Sequence, residues 1–198
     1  MVMFSTKKII SEKLQNICTI QLGYQFRKYL EHDINGTISV IQMKDIKECT
    51  LNSTKLLKVN LDNTKADFYV NKGMILFMPR GFNNDAIFIK EDLKNTIASS
   101  QFYILKLTID DVLPEYITWY LNQKPAQKYF KNNREGTSLL IVNIGQLKEL
   151  EVKIPSLKIQ ESIVMANNMV QKEKKLYQEI VNKRYILTSK LLLSTINL

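Results

Sequence analysis

A single histidine, two cysteines, four prolines and six glycines are spread over 198 residues, and each scarcity removes a class of chemistry or architecture. His32 is the sole imidazole and lies in a charged stretch, so Ser-His or Cys-His nucleophilic catalysis would rest on it alone; it reads as a surface residue. Cys18 and Cys49 stand far apart, with no second thiol pair or neighbouring histidine, which disfavours both a disulfide framework and a zinc ribbon. Two buried thiols in a reducing cytosol are the expectation. Few prolines and glycines, with 45% hydrophobic and 24% charged residues, exclude a low-complexity chain and indicate a folded one. No apolar run approaches the roughly 20 residues that span a bilayer, and the stretch from Met1 to Ile10 is too short and too broken by lysine for a secretory signal. A cytoplasmic location without a membrane partner is therefore expected. No Gly-rich phosphate loop and no Asp/Asn-Pro-Pro-Tyr/Phe motif occur, so no cofactor, no metal and no methyl transfer by the chain itself are expected.

What is present is positive charge. Lys and Arg number 28 against 19 Asp and Glu, a formal net charge of +9, which favours polyanionic partners, nucleic acid first and an anionic membrane surface second. A Lys-, Asn- and Ile-rich composition also follows from an A/T-rich genome, so charge alone does not decide.

The chain divides unequally. From about Ile10 to Pro155 the pattern changes roughly every eight to twelve residues, with β-rich runs over Ile38 to Met43, Met74 to Met78, Ala86 to Ile89 and Phe102 to Leu107. Turn signals separate them at Asn35-Gly36, Lys72-Gly73 and the polar loop from Arg80 to Asn84. Pro114 opens a helical stretch to Leu121, where its missing N–H does no harm and Glu115 sits in the favourable first turn; Pro125 ends or restarts it. Asn143 and Gln146 have capping-box spacing before a strand-like run from Leu150 to Ile154. After Pro155 no proline or glycine interrupts the chain, and the apolar residues form one helical stripe. On a heptad spacing the stripe holds Ile163, Ala166, Val170, Glu173, Tyr177, Ile180, Arg184, Leu187 and Leu191, with Glu173 and Arg184 as its polar members. About 40 residues at about 1.5 Å each make a helix of roughly 60 Å, longer than a domain of about 150 residues covers, so its outer half calls for another helix. The fold class is α+β: a β-rich domain over residues 1–155, then a coiled-coil-forming helix over 156–198.

Catalytic patterns are few. Pro114-Glu115 followed by Glu151-Val-Lys153 loosely matches a metal-dependent nuclease layout, but Pro114 reads better as a helix start and Lys153 as the exposed side of a strand; a cleaving site would need those carboxylates to converge on a metal ion. Four polar clusters fit a DNA-binding surface better, because Arg and Lys grip phosphates while Gln, Asn and Arg reach base edges. The expected contacts are Tyr24, Gln25, Arg27 and Lys28; Gln42 and Lys44; Arg80, Asn83 and Asn84; and Arg134, Thr137 and Ser138.

The order of motifs resembles the target-recognition domain and following conserved helix of type I restriction-modification specificity (S) subunits, from about residue 10 to 195. The resemblance is carried by Gly23-x-x-Phe26, Gly36-Thr-Ile-Ser-Val-Ile-Gln-Met-Lys-Asp-Ile46, Val70-Asn-Lys-Gly-Met-Ile-Leu-Phe-Met-Pro-Arg-Gly81 and Ile97-Ala-Ser-Ser-Gln-Phe102. It continues through Leu113-Pro-Glu-Tyr-Ile-Thr-Trp-Tyr-Leu-Asn122, Gly136-Thr-Ser138 and the run from Leu147 to Gln160. Two departures stand out: Gly73-Met-Ile75 replaces the usual Gly-Asp-Ile, and the Pro-x-x-x-Glu-Gln motif ends here in Ile159-Gln160. The resemblance implies a non-catalytic, sequence-specific reader of duplex DNA whose partners are type I methyltransferase subunits and, through them, the restriction subunit. With one domain and one helix it implies a half-subunit that forms a homodimer on an interrupted, two-fold related site, the helix allowing a spacing of at most about 17 base pairs at about 3.4 Å each. The rival readings are a phage or mobile-element decoy of such a system, a small nuclease, and a coiled-coil scaffold that binds DNA without regard to sequence.

Overall fold

The computed structural model describes residues 9–27, 30–61, 65–81, 83–133 and 141–196. Its strands are β1 (Ile10–Lys13), β2 (Cys18–Leu22), β3 (Ile38–Ile41), β4 (Ile46–Lys47), β5 (Thr50–Leu51), β6 (Leu57–Val59), β7 (Ile75–Phe77), β8 (Ala86–Phe88), β9 (Thr96–Ala98), β10 (Tyr103–Leu107) and β11 (Glu151–Ile154). Its α-helices are α1 (Leu14–Ile17), α2 (Pro114–Leu121), α3 (Lys124–Asn133), α4 (Ile144–Lys148) and α5 (Leu157–Thr195). The chain forms two compact units that meet between Gln160 and Glu161, so the first turn of α5 belongs with the β-rich unit.

Among the described residues, β2, β10, β7 and β8 pair in that order into an antiparallel sheet. A second sheet runs β6-β3-β9, with β3 antiparallel to β6 and parallel to β9. β1 pairs with β11, and β4 with β5 in a small hairpin. The residues of β7, Ile75, Leu76 and Phe77, are all buried, which is what an unbroken apolar run flanked by strands on both edges requires. Leu76, Ile87, Ile89, Phe102 and Ile104 meet Ile41, Val70 and Ala98 in one apolar cluster, while Ile38, Val40, Val59 and Ile97 form another, walled by Tyr24, Phe26 and Phe68.

The expected run from Ile38 to Met43 stops as a strand at Ile41. The Gln42 N–H donates to the Asp45 carboxylate at 2.8 Å and the Asp45 N–H to the Gln42 carbonyl at 3.0 Å, which withdraws Gln42 from the ladder and winds Met43–Asp45 into a 3-10 turn. The helix from Pro114 to Leu121 forms as expected, with proline in its first turn; Pro125 restarts the chain as the second residue of α3. Asn143 and Gln146 cap α4 reciprocally, Gln146 N–H donating to Asn143 Oδ1 at 2.8 Å and Asn143 N–H to Gln146 Oε1 at 2.9 Å. One thiol departs from expectation. Cys18 is buried, donates to the Leu14 carbonyl at 3.2 Å and has its thiol pKa pushed by burial up to about 12, whereas Cys49, at the tip of the β4–β5 hairpin with a positive φ of 55°, is exposed.

α5 runs unbroken for 39 residues, about 58 Å at about 1.5 Å per residue. Val170, Tyr177, Ile180, Leu187 and Leu191 of its stripe are each more than half exposed. Among the described residues no helix is long and apolar enough to cross a membrane.

Candidate nucleic-acid interface

Strand register gathers the candidate clusters. Leu22 is paired with Tyr103, Tyr103 with Phe77, and Phe77 with Ala86, so the end of β2, the start of β10, the end of β7 and the start of β8 lie along one rim of the antiparallel sheet. The segments just past that rim are Gly23 to Arg27, Ser99 to Phe102, Met78 to Gly81 and Asn83 to Asp85. The parallel pairing of Ile41 with Ala98 brings the end of β3 there too, and the Ser99 N–H donates to the Ile41 carbonyl at 3.0 Å. Gln101 then joins the turn after β3 to the rim, its Oε1 accepting from the Met43 N–H at 3.0 Å.

Gly23 makes the first of these approaches possible. A Cβ there would stand 2.2 Å from the Ser99 carbonyl oxygen, so no larger residue could sit so close. Next to it the Tyr24 N–H donates to the Ala98 carbonyl at 2.7 Å, and the Tyr24 carbonyl accepts from the Ser100 N–H at 2.8 Å. The ring of Tyr24 packs edge-on against Phe26 and Phe68, centroids 4.7 and 5.2 Å away. This expected contact residue is half-buried and its ring serves the wall of the domain, whereas Gln25 and Arg27 beside it are exposed.

Arg80 and Asn83 are likewise exposed, on a turn that Gly81 closes with a φ of 115°. The Val142 N–H donates to the Pro79 carbonyl at 3.0 Å and Arg80 bridges to Ile141. Tyr103 locks the same corner by donating its hydroxyl to the Val142 carbonyl at 3.1 Å; burial pushes its phenol up, and the nearby Arg80 guanidinium partly offsets this. Asp85 also lies at the rim, where burial raises its carboxyl and a hydrogen bond with Cys49 lowers it, placing the tip of the β4–β5 hairpin beside the start of β8.

Asn84, expected to contact DNA, is fully buried. Its amide donates to the Met78 carbonyl at 3.0 Å, and its own carbonyl accepts from Gln127 Nε2 at 2.8 Å. The Asn84 side chain is held inside the Arg80 turn, whose shape it supports. Gln42 is half-buried and Lys44 exposed, one before and one within the 3-10 turn. Lys28, Arg134, Thr137 and Ser138 lie outside the described residues. Sequence reasoning missed the organising residues Asn122, Gln127 and Gln101. Asn122 makes paired bonds of 2.8 Å to the N–H and carbonyl of Ala86, yet an Asn or Gln at a helix end looks in sequence like a solvated side chain.

Of the nuclease pattern, α2, which begins at Pro114-Glu115, packs on β11 through the Tyr120 hydroxyl, which donates to the Glu151 carbonyl at 3.3 Å. Glu151 accepts from Ser11 on the exposed face of the β1–β11 pair, and Lys153 points outward from the same strand. Among the described residues no three His, Cys, Asp or Glu side chains group where they could hold a metal ion.

The chain thus combines a β-rich unit that carries polar and basic turns along one rim with a long helix whose apolar stripe is exposed. The family described as "Type I restriction modification DNA specificity domain" matches residues 9–182, and the chain belongs to it. The HindI specificity subunit of Haemophilus influenzae is 28% identical over 121 residues, covering 57% of this chain and 26% of that subunit. The fold is similar to that of the S subunit of M. genitalium, with a TM-score of 0.58 at 16% identity, and to that of the HsdS subunit of Thermoanaerobacter tengcongensis, with a TM-score of 0.59 at 12% identity. Each likeness covers 87% of this chain, against 41% and 39% of those subunits. The chain thus spans well under half the length of the relatives it matches.

Proposed function

We propose that the rim reads a short half-site in duplex DNA and that α5 pairs with a second copy of the chain, so that two rims address the two halves of an interrupted site. In this reading Gln25, Arg27, Gln42, Lys44, Arg80 and Asn83 reach bases or phosphates, joined by Lys28, Arg134, Thr137 and Ser138, while Tyr24 and Asn84 support them from within. The observation that carries the reading is the convergence of separate polar turns on one rim, anchored by backbone pairing that holds their spacing. Preorganised donors and acceptors of this kind suit the major groove, where each base pair presents its own pattern. The apolar stripe of α5 is the surface for helix pairing and for docking methyltransferase subunits, through which the restriction subunit would be recruited in the cytoplasm.

Selection of bound duplexes from a randomised pool at about 150 mM salt, where screening weakens sequence-blind attraction, tests the proposal when combined with light scattering. An interrupted two-part motif and a dimer mass are expected. A pool that stays random, with and without methyltransferase subunits, would sink the reading.

A further inference from the structure

α3 carries ten residues without a single carboxylate. Lys124, Lys128 and Lys131 are all exposed and follow one another at i, i+4 and i+7, a spacing that aligns them on one helix face. The opposite face buries Ala126 and Phe130, with the Phe130 ring 5.0 Å from that of Phe77 at the rim end of β7. The position of α3 is held firmly. Gln127 donates 2.8 Å bonds to the carbonyls of Asn84 and Leu121, and the Asn84 N–H donates back to its Oε1 at 3.4 Å, so the helix is stapled to the Arg80 turn.

The three lysines make no ion pair among the described residues, where the Lys13–Glu149 pair is the salt bridge formed. Like charges at this spacing oppose the helix that bears them, though only slightly. Seven residues at about 1.5 Å each place Lys124 and Lys131 about 10 Å apart along the axis, and three long, mobile lysine side chains over that distance can reach neighbouring phosphates of one DNA strand. A row of cations with this reach, adjoining a rim of polar base-reading candidates, matches a strand backbone better than a scattered acidic surface.

We propose that α3 is a phosphate-gripping element: Lys124, Lys128 and Lys131 contact consecutive phosphates of one strand beside the half-site and anchor the domain without reading bases. The inference rests on the DNA-reading proposal above for its partner, but its own signature is separate. The test uses the full chain and its K124Q/K128Q/K131Q variant, each titrated with a selected duplex and a scrambled one over a range of salt, with thermal melts to confirm that both fold alike. The expected result is an equal loss of affinity for both duplexes and a log K against log salt slope shallower by about 2.7, since each phosphate contact contributes about 0.9. The K124R/K128R/K131R variant should retain the wild-type slope. An unchanged slope in the glutamine variant overturns the proposal and points the lysine face toward an acidic protein. A changed preference between the duplexes also overturns it, since that would make the face a base reader. If the wild type binds both duplexes alike while the slope still falls, the half-site reading fails and the phosphate grip stands. If the wild type binds neither, with and without methyltransferase subunits, both fail.

Discussion

The amide side chains of Asn84, Gln127 and Asn122 do at the residue scale what a longer ladder would do elsewhere: they satisfy backbone groups where β7 and β8 have run out of strand. Removing a partner from such a site leaves buried donors and acceptors without bonds, at about 1–3 kcal/mol for each group. Gln127→Ala is therefore expected to lower stability by that order, read as a shift of the urea midpoint with an unchanged m value, and to weaken DNA binding only through the loosened turn. Arg80→Ala should do the reverse. Arg80 is exposed, so stability should hold within about 0.5 kcal/mol, while preference at one base position relaxes by about 1–3 kcal/mol in a competition assay. Equal effects of Arg80→Ala on every duplex would reassign it to the phosphates. Asn84 shows what residue type alone leaves open: Asn is as apt for adenine as for a turn, and its burial on the Met78 carbonyl appears only in the fold.

At the scale of elements, the junction into α5 depends on one glutamine. Gln160 is fully buried; its Oε1 accepts from the Leu113 N–H at 2.9 Å, and its Nε2 donates to the carbonyls of Asp111 at 3.0 Å and Pro155 at 2.8 Å. Leu113 is the N-cap residue of α2 and offers no side-chain cap of its own. One amide thus binds the start of α2 and the first turn of α5 to the same unit. The family pattern ends in Glu-Gln, and the change to Ile159 leaves this glutamine and its bonds in place. Gln160→Ala is expected to cost about 2–3 kcal/mol, because three backbone groups lose their partner in a dry setting; a midpoint shift under about 0.5 kcal/mol would show that water replaces the amide.

On the scale of the whole molecule, a helix of 39 residues with an exposed apolar stripe exceeds what one chain buries for itself. Ile180→Asp and Leu187→Asp each place a charge where the proposed helix pairing would desolvate it. Either should reduce the mass seen by light scattering to that of one chain, with the melting of the β-rich unit unchanged. The selected motif should shrink at the same time from two parts to one. A dimer that survives both substitutions would locate self-association elsewhere.

Composition and periodicity by themselves determined the α+β class, the turn signals, the Pro114 start of α2, the capping box of α4 and the uninterrupted final helix. All of these are local: they depend on side chains a few residues apart, and the chain carries that information in its spacing. The shared rim was decided only by tertiary structure, since it depends on the register of strands from distant parts of the chain, with Leu22, Phe77 and Tyr103 paired across the sheet. The same holds for the separation of Arg80, exposed, from Asn84, buried four residues later. Burial is a property of what packs against a turn, and here that is α3, whose Gln127 reaches Asn84 across 43 residues of sequence.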